Sequence, residues 1–230
     1  MLIRTLLFTL LFITTHLYAE DTVSFTFAPP PVTKPQAEGT SDKVSLSVVS
    51  IDSTAGGVDL SMSGWDLGMV SRTAGQQLGF SMLTHVGRIT DDDDTIDSVN
   101  LGLSGNIETY LTPDKGAIGA AGLVMEFSNT TIDISPTVDG DIATLFLGFQ
   151  LSAQNRFPIN EFMGVTPYVL YKSLTGTAES RIGSTNTSTD VDVSALTFGV
   201  DVDVMQFSVA AMIQSTEDTD VTMLTLGLNF

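Results

Sequence analysis

The chain has 230 residues, with 27 acids against nine lysines and arginines, a formal net charge of −18 and no cysteine. Such acidity excludes a nucleic-acid partner, which needs basic patches, and the lack of cysteine excludes disulfide staples and thiolate zinc sites. A mean hydropathy of +0.26 beside that charge points to apolar residues that face lipid while the acids sit in loops and interior.

Residues 1–19 combine Arg4, an apolar run over 6–13 and the small Ala19, the pattern of a cleaved secretory signal peptide. The run is too short for a helical span of about 20 residues. His16 leaves with it, so His85 is the histidine of the mature chain. Residues 20–43 read as a proline-rich periplasmic linker, because Pro29, Pro30, Pro31 and Pro35 favour extended polyproline geometry. The remainder, 44–230, suits one β domain.

From residue 44 onward, apolar residues recur at period two between turn signals, which is strand patterning. Val44, Leu46 and Val48 share a face; then Val58, Leu60 and Met62 change phase to Trp65, Leu67 and Met69, with Gly64 at the change, suggesting a β-bulge. A tight turn is expected over 72–75. Next come Leu78, Phe80, Met82 and Val86, the acidic loop 90–95, and Val99, Leu101, Leu103 and Ile107. After the turn at 112–116 follow Leu123, Met125 and Phe127, a polar loop over 129–140, and Leu145, Leu147, Phe149 and Leu151. The connection 154–163 leads to Val165, Val169 and Tyr171, and a Ser/Thr/Gly loop is expected over 177–190. The last three segments carry Leu196, Phe198 and Val200, then Phe207, Val209 and Ile213, then Leu224, Leu226, Leu228 and Phe230. The fold class is all-β: an antiparallel up-and-down transmembrane barrel of about ten strands, or eight if the first two merge with their neighbours.

The closing strand V-T-M-L-T-L-G-L-N-F ends on an aromatic residue, with Leu224, Leu226, Leu228 and Phe230 on one face and Met223, Thr225, Gly227 and Asn229 on the other. With the alternation that precedes it, this resembles the small Gram-negative outer-membrane β-barrel (porin-like) family, whose members end in such a strand. No subfamily motif appears. The resemblance implies an outer-membrane location, contact with lipid and lipopolysaccharide, insertion by the barrel-assembly machinery, and short periplasmic turns opposite longer outer loops. The run D-T-V-S-F-T-F-A at 21–28 faintly resembles the energy-coupling box of TonB-dependent transporters, which are far larger; the plainer reading is a periplasmic tail.

A ten-stranded barrel is narrow, so its interior is filled or leaves a thin wet path. The lumen candidates are Asp59, His85, Asn100, Glu108, Glu126, Gln150, Lys172, Asp201 and Asp203. One expectation is a polar filling in a barrel with a structural or surface role. The alternative is a narrow cation-preferring channel, since acids outnumber bases on that face. Catalysis is the remote reading. Ser81 lies four residues from His85, about 13 Å along an extended strand. Neither the His/Ser spacing of outer-membrane lipid A deacylases nor the Asp-x-His pair of omptin proteases is present. Asp91, Asp92, Asp93 and Asp94 are weak candidates for calcium through clustered carboxylates, or a solvated loop tip. No cofactor is expected.

Lys43, Arg72, Lys115 and Arg156 fall at the expected periplasmic end, and Asp91–94, Asp139, Asp141, Glu217, Asp218 and Asp220 at the outer end. An acidic rim repels lipopolysaccharide phosphates unless divalent cations bridge them. Chelation of Mg²⁺ and Ca²⁺ in lipopolysaccharide-containing bilayers is therefore expected to lower the melting temperature. An unchanged value counts against the bridge.

Overall fold

In a computed structural model the described residues are 39–55, 58–92, 95–112, 116–135, 138–183 and 185–230. The expected signal peptide and most of the linker lie outside them. Ten antiparallel strands form one sheet: β1 (Gly39–Ala55), β2 (Val58–Ala74), β3 (Leu78–Asp91), β4 (Ile96–Tyr110), β5 (Ala117–Ser135), β6 (Val138–Asn155), β7 (Met163–Ile182), β8 (Thr185–Val204), β9 (Phe207–Ser215) and β10 (Thr219–Asn229). A two-residue bridge, Phe157–Pro158, lies in the connection from β6 to β7. Each strand pairs with its sequence neighbour, and β1 pairs with β10, closing the ring. The ten-strand expectation stands and the eight-strand alternative falls.

The seam runs without interruption from Lys43↔Asn229 to Ser53↔Thr219. The amide of Asp42 donates to the Phe230 carbonyl (2.9 Å) and the amide of Phe230 to that of Asp42 (3.0 Å). Ser47 and Thr225 hydroxyls meet across it at 2.8 Å. Closure matters because lipid offers no partner to a free strand edge. β1 begins at Gly39, so 39–43 belong to the barrel and not to the linker.

The alternation does what the pattern implied. Leu46, Val48, Trp65, Leu67, Phe80, Leu101, Leu123, Leu147, Phe198, Leu224 and Leu226 all point outward and are exposed, forming the lipid-facing band. Along the membrane-crossing part of the strands the opposite face is largely buried. No helix of the described residues is long and apolar enough to cross a membrane; the strands do the crossing.

Three local expectations are corrected. Gly64 is not a bulge: pairing passes through Val49↔Gly64 and Gly64↔Ile89 without a shift. The apparent phase change arises because the interior itself becomes apolar there, with Met62 inward and Trp65 outward. Within the stretches 129–140 and 177–190, the described residues 129–135, 138–140, 177–182 and 185–190 are not loop but the far ends of β5, β6, β7 and β8. Apolar alternation reports lipid contact, so it stops where the strands leave the lipid although the ladder continues. Arg72 is not in a turn; it faces inward near the end of β2. The turn between β8 and β9 is Met205–Gln206, with Met205 in the left-handed region at φ 56°.

These orientations predict opposite outcomes for two charges on β10. Leu226→Arg, in the middle of the lipid-facing row, is expected to cost about 2–4 kcal/mol. Asp220→Arg, exposed beyond that row, is expected to change stability by less than about 0.5 kcal/mol. Equilibrium urea unfolding from lipid vesicles reads both; equal losses overturn the facing assignment.

Candidate functional site in the barrel interior

Two positions of the interior differ in chemistry. Toward the end that holds Gly39 and Phe230 it is polar. Toward the far end, Val49, Ile51, Met62, Ile89, Ile96, Ile132, Met212, Val221 and Met223 form an apolar cluster, with Val49, Ile51 and Ile89 fully buried. A second inward cluster, Val124, Phe146, Leu174, Ala178 and Val191, lines the inner face of β5–β8.

The polar part is organised as ion pairs between strands. Lys43 on β1 reaches Asp201 on β8 at 2.5 Å, with both side chains fully buried. Arg156, from the connection after β6, makes a bidentate pair with Asp203 at 3.1 and 2.8 Å. Arg72 donates its Nε to Glu108 at 2.5 Å, and its guanidinium lies 5.6 Å from the Tyr110 ring centroid. Lys172 on β7 pairs with Glu126 on β5, over the inner face of the intervening β6. His85 Nδ1 lies 3.0 Å from Asp66 Oδ1, with side-chain exposures of 2% and 0%. Gln150 donates its amide to Asn106 (2.6 Å) and Ser104 (3.1 Å). A partner offsets only part of the cost of burying a charge, but removing one member of such a pair leaves the other uncompensated and is strongly destabilising.

Glycine makes room for these groups. His85, Asn106 and Tyr168 each stand directly opposite an inward glycine on the next strand: Gly102, Gly122 and Gly199. A β-carbon at any of the three would overlap the facing side chain. The Lys43 stem lies against Gly227 in the same way. Long polar side chains can therefore lie flat along the wall of a narrow barrel, where the opposite wall leaves little space.

Of the lumen candidates, His85, Asn100, Glu108, Glu126, Gln150, Lys172, Asp201 and Asp203 are all inward and buried. The side chain of Asp59 lies outside the described residues. The partners Lys43, Asp66, Arg72 and Arg156 were missed as lumen groups. For Asp66 and Arg72 a signal existed: both alternate with Trp65, Leu67 and Met69 and so share the inward face. Lys43 was hidden because the linker was assigned through residue 43, although the barrel begins at Gly39, and Arg156 by its place in a connection.

Asp91 closes β3 as a structural staple. Its carboxylate accepts from the amides of Thr95 (2.7 Å) and Ile96 (2.8 Å) and from the Thr95 hydroxyl (2.5 Å). Asp92 is exposed, and Asp93 and Asp94 lie outside the described residues. Among the described residues no three acidic or histidine groups are set to hold a metal ion. Ser81 is bonded by the Asn106 amide at 3.3 Å.

A cavity of about 70 Å³ opens among His85, Asn106, Glu108, Glu126, Gln150 and Lys172, room for on the order of five waters. At the far rim, a larger basin of about 520 Å³ is lined by Asp52, Ser61, Glu217, Asp218 and Asp220.

A scan of protein-family models finds no match to this sequence, and no curated protein matches it. Solved structures do match in fold. The translocator domain of autotransporter NalP from Neisseria meningitidis is similar at a TM-score of 0.58 and 10% identity, over 86% of this chain and 90% of that one. The outer membrane protease OmpT from Escherichia coli is similar at a TM-score of 0.54 and 9% identity, over 86% of this chain and 99% of that one. The chain has the outer-membrane β-barrel fold, and identities this low carry nothing finer.

If the Lys172–Glu126 pair is compensated inside the lumen, Lys172→Met is expected to cost about 3–5 kcal/mol, because Glu126 is left buried without its cation. Adding Glu126→Gln is expected to restore at least about half of that loss. A double-mutant cycle by urea unfolding checks it; additive losses overturn the pairing.

Proposed function

We propose that this protein is a closed outer-membrane barrel that works at its surface, with a lumen that does not conduct. The observation that carries the reading is the filling of the interior. Four buried ion pairs and the His85–Asp66 contact occupy its polar part, and the apolar cluster around Ile51, Ile89 and Met223 caps that part toward the far end. A conducting pore needs binding weak enough for ions to leave and a wet path to leave by. Here the acids that would attract cations are already engaged with Lys43, Arg72, Arg156 and Lys172, and packed aliphatic side chains stand above them. The cavity beside Lys172 is then a hydrated pocket within the filling.

The termini are taken to face the periplasm, as the resemblance implies, which puts the long β5–β8 hairpins and the acidic rim outside the cell. Lipopolysaccharide bridged through divalent cations, and the barrel-assembly machinery reading the Phe230 strand, are the partners that fit this placement. A hydrolase is disfavoured by the surroundings of His85, which is held by Asp66 within the filling, away from any surface a substrate would reach.

Planar-bilayer recording of the refolded protein is expected to show insertion without stepwise conductance. Reproducible cation-preferring steps that change with Glu108→Gln or Asp201→Asn would overturn the closed reading in favour of a channel.

A further inference from the structure

The strands are unequal in a way that leaves part of the ring open. β7 and β8 pair along their whole length, from Met163↔Val204 to Ile182↔Thr185. β9 pairs with β8 only from Phe207↔Val204 to Ser215↔Leu196. Residues 185–195 of β8 therefore have β7 on one side and no strand among the described residues on the other. At about 3.3 Å per residue this edge is roughly 35 Å long. It stands in water: the outward apolar row of β8 ends at Leu196, and the outward residues beyond it are Ser194, Asp192, Asp190, Ser188 and Asn186, all exposed.

An open strand edge is a row of unpaired amides and carbonyls, a template for another extended chain. Proteins usually blunt such an edge with proline, lysine, a bulge or a covering loop. This one runs T-N-T-S-T-D-V-D-V-S over 185–194, with neither proline nor lysine, and its pairing with β7 has no register shift. What it does carry is negative charge. Asp190 and Asp192 are exposed along it, and Glu179 lies opposite Ser188 on β7. The floor of the notch is the β9–β10 turn, where Glu217, Asp218 and Asp220 line the acidic basin. Among the described residues the base on this hairpin tip is Arg181, opposite Asn186.

We propose that this edge docks one extended, basic polypeptide segment of an outside partner, added as a strand beside β8 above β9. Backbone hydrogen bonds supply the register-tolerant part of the recognition. The acids supply its selectivity: they attract lysine- or arginine-bearing strands and repel acidic ones. The same acids oppose pairing with a second copy of this chain, because two such edges bring Asp190 and Asp192 of both copies together. The proposal rests on the surface reading above and on its orientation.

The test uses the full mature barrel in lipid nanodiscs and a ten-residue peptide of alternating lysine and threonine as probe. Controls are the glutamate–threonine counterpart and a lysine–threonine peptide N-methylated at every amide, so that neither of its edges can donate to a strand. The expected result is binding of the basic peptide, at least tenfold weaker binding of both controls, and slowed hydrogen exchange of amides within 185–195. Asp190→Asn with Asp192→Asn is expected to weaken binding at least fivefold while the protein keeps its heat-modifiable migration. Equal binding of the N-methylated peptide means charge attraction alone and overturns strand addition. Protection that appears without peptide and scales with protein concentration means self-pairing and overturns the choice of partner. No binding overturns the proposal outright. Bilayer conductance of the same preparation reports separately on the closed lumen: a silent barrel without binding refutes the docking edge alone, and a conducting barrel refutes the closed reading whatever the peptide does.

Discussion

Ring closure is the constraint on which everything else here depends. A sheet that crosses lipid must pair both edges of every strand, because an unpaired amide or carbonyl in hydrocarbon costs several kcal/mol. The seam between β1 and β10 meets that demand, and the mutual backbone bonds of Asp42 and Phe230 lock its end. Closing ten strands also sets the width of the lumen. Whatever faces inward must then fit a narrow tube and be electrically compensated within it.

The interior solves the two problems together. Each buried acid in a charge pair meets a base or His85 from another part of the wall: Asp201 with Lys43, Asp203 with Arg156, Glu108 with Arg72, Glu126 with Lys172 and Asp66 with His85. Fit comes from glycine. His85 against Gly102, Asn106 against Gly122 and Tyr168 against Gly199 show polar side chains lying along the wall rather than across the bore. Such a ladder contributes less to net stability than an apolar filling of the same volume would. Its effect is registry: a one-residue slip of any strand would turn its buried charges to lipid. Above the ladder, the apolar cluster gives the barrel a conventional packed core on the inside, while the outside remains apolar for a different reason, the lipid.

Beyond the lipid the closure rule relaxes, because water satisfies free backbone groups. There the strands are free to differ in length, and they do: β7 and β8 run to 20 residues each, while β9 has nine and β10 eleven. The raised wall and the low β9–β10 turn follow from this freedom, and so does the exposed edge of β8. The membrane part is constrained to be uniform, so the parts that distinguish this barrel lie in its filling and its rim.

The class of the fold was legible from the residues alone, and so were the faces of the strands. A period of two in Leu224, Leu226, Leu228 and Phe230 states which side chains share a face, and the same rule placed His85, Asn100, Glu108, Glu126, Gln150, Lys172, Asp201 and Asp203 inside. The pattern failed where hydrophobicity stopped reporting on lipid. At 129–140 and 177–190 the ladder continues in water with polar residues outward, and at Gly64 an apolar interior resembled a change of phase. Partnership was beyond the sequence altogether. Lys43 and Asp201 lie 158 positions apart, and only the closed, staggered ring brings them within 2.5 Å. Period two determines the direction of a side chain relative to its own strand; the register between strands, which decides what it meets across the lumen and where an edge is left open, is a property of the assembled sheet.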